Sequence, residues 1–197
     1  EKPLFYIGEA ELLEVLPLSD GLHSKLRLKA GFAKIDALMF RTAPTALPVK
    51  VGDRCDMIVT LGVNSYRGRD SVSVVLSDIR PHTFEQSKYF AALGSFEAFM
   101  RGEKLPKNYY PSMYPSREEA VKIYKAIPEN GISLDRLYIS LTGKSINYCK
   151  FRFAIEAFRE LGLVKMNASD FGVSRVKVSA KTDLYSAPVL EKLRSRL

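Results

Sequence analysis

Apolar and polar residues alternate in five segments of the first 81 residues, and a period of two is that of a strand with two unlike faces. Three segments are residues 5–16, with Gly8 as a bulge or bend, 23–30 and 32–41. The other two are the arms of a hairpin over residues 53–81, joined by a turn that contains Gly. The alternating apolar positions of these arms are Met57, Val59, Leu61, Val72, Val74 and Leu76.

Five short strands separated by turn signals predict a small closed β-barrel. Strands in this order are typical of the OB-fold, a five-stranded barrel that binds oligonucleotides and oligosaccharides. In that fold the ligand face lies on strands two and three and on the loops after strands one and four. The sequence therefore predicts a binding surface before any individual residue is considered.

Helical spacing replaces the alternation after residue 81. Residues 82–102 have helical spacing in parts, broken by Gly94, and a Tyr- and Pro-rich stretch follows at 107–115. The segment Ser116–Glu119 is a capping box that starts a helix. A short helix capped by Ser133 comes next. The later elements are a helix at 146–161, short strands at 163–166 and 173–178, and a basic amphipathic helix at 186–197.

Three helices followed by a β-hairpin are the element order of a winged helix-turn-helix. The predicted fold class is therefore α+β, with a five-stranded OB-fold barrel followed by a mainly helical winged-helix-like domain. The predicted boundaries are 1–81 for the barrel, 82–115 for a helical, Tyr- and Pro-rich connector and 116–197 for the second domain.

Charge adds a second distinction between the two halves. The 197-residue chain has a net charge of +8 and a pI of about 9.4, and this basic excess fits a nucleic-acid partner. Residues 1–81 hold 11 Lys and Arg against 10 Asp and Glu, whereas residues 82–197 hold 19 against 12. The second half is therefore expected to attract polyanions more strongly. No apolar run approaches the roughly 20 residues of a membrane-spanning helix.

Catalytic chemistry is not evident in the sequence. Gly143-Lys144-Ser145 resembles the end of a phosphate-binding loop, but Tyr138 stands where that motif requires Gly, so a helix corner is the preferred interpretation. His23 and His82 have no acid, Cys or second His at ligand spacing. No Ser or Cys shows a paired base. We therefore predict no catalytic residue and no metal site in this chain.

The remaining acids and thiols are interpreted structurally. Asp53 and Asp56 lie at a strand entrance, where acids that cap turns are routine. Cys55 and Cys149 are interpreted as small buried hydrophobes of a cytosolic protein, because disulfides are rare in that compartment.

Candidate ligand contacts in the barrel fall into two groups. Lys25, Arg27 and Lys29 alternate on strand two, where they either contact phosphates or form a solvated strand face. The hairpin tip sets an aromatic between cations, which suits base stacking beside phosphate neutralisation. The barrel candidates are Lys25, Arg27, Lys29, Lys34, Asn64, Tyr66, Arg67 and Arg69.

The second domain offers a further basic cluster. Four candidates lie near the start of the predicted recognition helix and two on the predicted wing, but solvated charged helix faces are common. A protein-docking role without DNA contact therefore stays open. The candidates are Lys144, Asn147, Lys150, Arg152, Arg175 and Lys177.

Four short motifs in register resemble the OB domain of the RecJ family of single-stranded-DNA-specific exonucleases. They are LHSKLRL at 22–28, DALMF at 36–40, NSYRG at 64–68 and VVLSDIRP at 74–81. The resemblance covers about residues 3–81, and residues 82–197 look like the extra C-terminal region of some Gram-positive members. One departure is Ser73, where the family pattern implies a longer polar side chain such as Gln.

The resemblance implies more chemistry than the chain contains. RecJ-type nucleases cut single-stranded DNA from 5′ to 3′ with two metals, Mn²⁺ or Mg²⁺, held by a DHH motif and its companion domain ahead of the OB domain. This chain has no Asp-His-His and begins at Glu1 rather than Met, so we expect a non-catalytic C-terminal fragment without a cofactor of its own.

The expected function is to bind and guide single-stranded DNA for such an exonuclease in DNA repair and recombination. The expected location is the cytoplasm, at the bacterial nucleoid, with no membrane partner. The alternative function is docking to single-stranded-DNA-binding protein or to a RecQ-type helicase.

Overall fold

The computed structural model describes residues 2–66, 68–141, 146–167, 172–178 and 182–197, with only the backbone of Tyr66 and Arg69. The chain forms two compact units, residues 1–84 and residues 85–197. Residues 85–115, which the sequence assigns to a connector, group with the second unit.

The first unit is a closed barrel of five strands in the order β1-β2-β3-β5-β4. The strands are β1 Leu4–Leu18, β2 His23–Ala30, β3 Ala33–Met39, β4 Arg54–Tyr66 and β5 Arg69–Pro81, with a 3₁₀ turn at Pro44–Ala46. The β3–β5 pair is parallel and the other four pairs are antiparallel. The predicted five-stranded barrel is confirmed.

Strand β1 pairs with both β4 and β2, and its register with β4 shifts between Ile7 and Ala10. This irregularity contains the predicted bulge position Gly8 and places Glu9 at a φ of 56°. Because a bulge bends a strand, one long strand can serve both neighbours and close the barrel.

The inward positions of the alternating strands form the barrel core. On β2, Leu26 and Leu28 are fully buried, while Lys25 and Arg27 are half-buried and Lys29 is exposed. They pack in one cluster with inward residues of the other strands. Burying a Leu side chain contributes about 1.5–3 kcal/mol, so this alternation fixes which face of β2 points outward.

A helical unit follows the barrel, as predicted for the α+β class. Its helices are α1 Gln86–Met100, α2 Tyr110–Met113, α3 Arg117–Ala126, α4 Leu134–Ser140, α5 Tyr148–Glu160 and α6 Pro188–Arg194, with 3₁₀ turns at Lys107–Tyr109 and Leu184–Ser186. Its strands are β6 Ile132–Ser133, β7 Val164–Asn167 and β8 Gly172–Arg175, in the sheet order β6-β8-β7. No helix in the described ranges is long and apolar enough to cross a membrane.

The predicted break at Gly94 is wrong, because α1 continues through it. Gly costs about 1 kcal/mol in a helix interior. The packing that follows outweighs this cost, since the rings of Phe96 and Phe99 each meet Phe153 of α5 edge to face at 5.1 Å. The predicted capping box at the start of α3 is confirmed, with Ser116 and Glu119 bonding each other's backbone N–H.

Candidate nucleic-acid interface

The outer face of β2 and β3 carries the predicted strand-two cations. Lys25, Arg27 and Lys29 alternate with the buried Ser24, Leu26 and Leu28, and their side chains therefore lie on the outside of the barrel. The β2–β3 register places Arg27 opposite Asp36 and Lys29 opposite Lys34.

Two of these cations are paired with carboxylates. Arg27 Nη1 lies 2.7 Å from Glu14 Oε2, and Arg27 Nε donates to Asp36 Oδ1 at 3.2 Å. Lys25 Nζ lies 2.7 Å from the other oxygen of Asp36. Hydrogen bonds from Lys25 first and from Arg27 next hold the pKa of Asp36 below its usual value. The charges of Lys25 and Arg27 are therefore compensated locally.

The other two cations on this face differ from that pair. Lys29 and Lys34 are exposed and stand directly opposite each other, and no carboxylate of the described chain lies within ion-pair distance of either ammonium. Glu11 is opposite Lys29 on β1, so an acid is nearby without forming an ion pair. Like charges directly opposite each other on neighbouring strands are unfavourable without a counter-ion.

The tip of the β4–β5 hairpin is described only in part. Asn64 is exposed and pairs with Ser71, and the backbones of Tyr66 and Arg69 form the last pair of the ladder. Gly68 has a φ of 73°, which the turn requires and Gly supplies without strain. Arg67 lies outside the described residues, so the stacking role of Tyr66 beside Arg67 and Arg69 stays a prediction.

The cluster predicted at the start of α5 makes intramolecular contacts. Asn147 is the N-cap, since its Oδ1 accepts from Lys150 N at 2.8 Å and its Nδ2 donates to the carbonyl of Ser112 at 2.7 Å. Lys150 Nζ lies 2.8 Å from Glu119 Oε1, with side-chain exposures of 21% and 14%. The Arg152 guanidinium lies over the ring of Phe96, 4.6 Å from its centroid.

The predicted wing residues share one acid. Arg175 and Lys177 lie 3.8 Å and 3.3 Å from the carboxylate of Glu129, and the Lys177 side chain is 85% exposed. Lys144 lies outside the described residues. The nucleic-acid roles of all six residues in the second unit stay predictions.

A buried carboxylate cluster escapes sequence reasoning. Asp56 Oδ1 lies 2.8 Å from His82 Nδ1 and accepts from Glu9 N at 3.2 Å, while Arg80 Nη2 lies 3.5 Å from Asp56 Oδ2. Burial raises the pKa of Asp56, but hydrogen bonds from His82 and Glu9 outweigh burial and hold the pKa below its usual value. The cluster ties β1, β4 and the end of β5 together, and its members are too far apart in sequence for any local signal.

The remaining chemistry-bearing groups do not converge. No group of three or more His, Cys, Asp or Glu side chains in the described ranges could hold a metal ion. Both predicted buried cysteines are confirmed: Cys55 and Cys149 are free and buried, and burial raises the pKa of each thiol to about 12. Neither thiol is a nucleophile near neutral pH.

The closed barrel with one parallel β3–β5 pair defines the first unit as an OB-fold. Residues 1–78 match the family of the RecJ OB domain. This part of the chain is therefore a RecJ-type OB domain, and the resemblance seen in the sequence is confirmed for the barrel. No curated protein matches the chain significantly.

Similar solved structures include RecJ of Thermus thermophilus in complex with Mg²⁺, which is 28% identical over 40% of this chain and 11% of its own, with a TM-score of 0.30. This chain thus spans about a tenth of that protein. A replication protein A heterotrimer bound to single-stranded DNA is 15% identical over 51% and 73% of the two chains, with a TM-score of 0.30. Aspartyl tRNA synthetase from Entamoeba histolytica is 11% identical over 82% and 33%, with a TM-score of 0.34.

Proposed function

We propose that the OB unit binds single-stranded DNA and guides it within a RecJ-type 5′-to-3′ exonuclease. The observation that carries the proposal is the RecJ-type OB domain at residues 1–78, because strands two and three are the ligand face of this fold. In this proposal the strand is held for a nuclease core that uses Mn²⁺ or Mg²⁺ and belongs to a longer protein.

The cations on the β2–β3 face differ in how readily they can contact a phosphate. Lys29 and Lys34 can contact phosphates without first breaking an ion pair, because neither has an acid partner among the described residues. Lys25 and Arg27 must exchange Asp36 or Glu14 for a phosphate, and exposed ion pairs of this kind are worth only about 0.2–1 kcal/mol. Binding should therefore be weak and strongly dependent on salt.

The experiment is a fluorescence anisotropy titration of a labelled oligothymidine at two salt concentrations. We expect Lys29→Gln with Lys34→Gln to weaken binding and to reduce the salt slope by about 1.4, since each phosphate contact contributes about 0.7 for a single strand. Lys2→Gln with Lys50→Gln is the matched control, because it removes the same charge from exposed positions outside β2 and β3. Equal losses in both double variants would contradict a role specific to this face.

For the second unit, we propose a winged-helix-like domain that docks a protein partner, either single-stranded-DNA-binding protein or a RecQ-type helicase. The helix and strand order and the β6-β8-β7 sheet support the winged-helix interpretation. The contacts of Asn147, Lys150 and Arg152 within the unit favour docking over direct DNA contact.

Calorimetric titration with the purified partner tests the docking role. Arg175→Gln with Lys177→Gln should retain partner binding if these cations serve DNA and lose it if the wing is the docking surface. Failure of both partners to bind would reject the docking proposal.

A further inference from the structure

The turn between β2 and β3 carries an aromatic residue that packs against nothing. Ala30 pairs with Ala33, so Gly31 and Phe32 form a two-residue hairpin loop. Gly31 has a φ of 58° whereas Phe32 does not have a positive φ, which is the pattern of a type II′ turn. Phe32 as a residue has a relative exposure of 109%, so its ring is in water.

The fold does not require an aromatic residue at this position. A type II′ turn needs Gly at its first central position and leaves the second open to polar residues. Other exposed rings keep about half of their surface against neighbours, as Phe90 does at 56% exposure. A single exposed apolar side chain needs no explanation by itself, so the surroundings of Phe32 decide the matter.

Those surroundings are cationic. Lys29 and Lys34 flank the turn, one ladder position below the Ala30–Ala33 pair, and are the two cations of this face without an ion pair among the described residues. Sites for single-stranded nucleic acid combine cations along the backbone with aromatic rings on which bases stack. Lysine is depleted in the cores of protein interfaces, so a protein partner fits this turn less well.

We propose that Phe32 is a base-stacking residue and that Lys29 and Lys34 contact the phosphates on either side of the stacked base. The ligand is a single strand read without sequence preference, because every base offers a face to stack on. This inference rests on the proposed binding of single-stranded DNA and adds the β2–β3 turn as a contact separate from the β4–β5 tip.

The chain contains no Trp, so Phe32→Trp creates a single Trp at the turn, which can be excited selectively at wavelengths that Tyr does not absorb. We expect oligothymidine to quench this Trp over the same concentrations that raise the anisotropy of a labelled strand. Phe90→Trp, on α1 of the second unit, is the matched control and should not be quenched. Binding by anisotropy without quenching at position 32, or with equal quenching in both variants, would overturn the stacking role.

Affinity supplies an independent measurement. Phe32→Ala should weaken oligothymidine binding roughly 5- to 150-fold, the range for loss of one stacked base, while Phe32→Tyr and Phe90→Ala stay near the parent chain. Thermal unfolding of Phe32→Ala should match that of the parent, because the ring buries no surface.

The outcomes separate the two proposals. If the parent chain fails to bind at low salt, both are overturned. If the parent and Phe32→Ala bind equally well, only the stacking role is overturned. If Phe32→Ala loses binding to purified single-stranded-DNA-binding protein while its DNA affinity is unchanged, Phe32 is instead a protein contact.

Discussion

The two units differ in net charge and in the groups that their candidate cations contact. Residues 1–81 have almost balanced charge, with 11 cations against 10 acids, yet they present Lys29 and Lys34 without ion pairs among the described residues. Residues 82–197 hold 19 cations against 12 acids, but the candidates Lys150 and Arg152 are held by Glu119 and by an aromatic ring. Net charge therefore does not locate a binding face, because whether a cation can contact a ligand depends on the groups that already hold it.

The largest expected effect tests whether Lys150 is structural. Lys150→Met leaves the Glu119 carboxylate, 14% exposed, without its ammonium partner, and we expect a loss of about 1–3 kcal/mol in the free energy of unfolding. Urea denaturation followed by circular dichroism measures this. Lys122→Met, at an exposed position of α3, is the control. A stable variant with weaker DNA binding would instead give Lys150 a ligand role and weaken the contrast between the units.

The second effect concerns acid stability and is tested with one constrained carboxylate from each unit. The pKa values of Asp56 and Glu119 are both lowered in the folded chain. A lowered pKa gives stability that is present above the unfolded pKa of about 4 and is lost as the pH falls through the folded pKa.

Urea denaturation between pH 6 and pH 3, in roughly one-unit steps across these pKa values, should therefore show that the free energy of unfolding falls at the acid end. Asp56→Asn should make the stability of the barrel less dependent on pH in this range. Glu119→Gln should do the same for the second unit. The exposed Asp78→Asn is the control. An unchanged acid limb in Asp56→Asn would show that the His82 contact does not stabilise the barrel.

The smallest effect tests local compensation within the barrel. Asp36→Asn removes the acid shared by Lys25 and Arg27, so we expect oligothymidine affinity to rise a few-fold and the salt slope to steepen. Stability should change by less than about 1 kcal/mol, because the pairs are solvent-exposed. Asp78→Asn again removes one charge away from β2 and β3. An equal rise in both variants would mean that only net charge matters.

Much of the fold was predictable because its signals are local. The strand at residues 23–30 has the bounds found for β2, since alternation and the flanking turns define it without reference to the rest of the chain. The capping box at Ser116 was predictable for the same reason. Gly94 was not, because the choice between a broken and a continuous helix depended on Phe153, 59 residues further along the chain.

The site was predictable only as a set of positions. Alternation placed Lys25, Arg27 and Lys29 on an outer face, but it could not show which of them are free of ion pairs and which are not. That difference depends on Asp36, which the β2–β3 register brings opposite Arg27. Phe32 is absent from the predicted site although it carries a local signal, an aromatic directly after Gly in a tight turn between lysines.

By itself the sequence determined the five-stranded barrel, the helical second unit and the RecJ-type character of residues 1–78, because periodicity, caps and short motifs depend on neighbouring residues. Only the tertiary structure decided which charges are available. Polar contacts such as Arg27 with Glu14, Lys150 with Glu119 and His82 with Asp56 join residues 13, 31 and 26 positions apart. The energy of a charge depends on distance and burial, and both are set by strand register and helix packing rather than by sequence order.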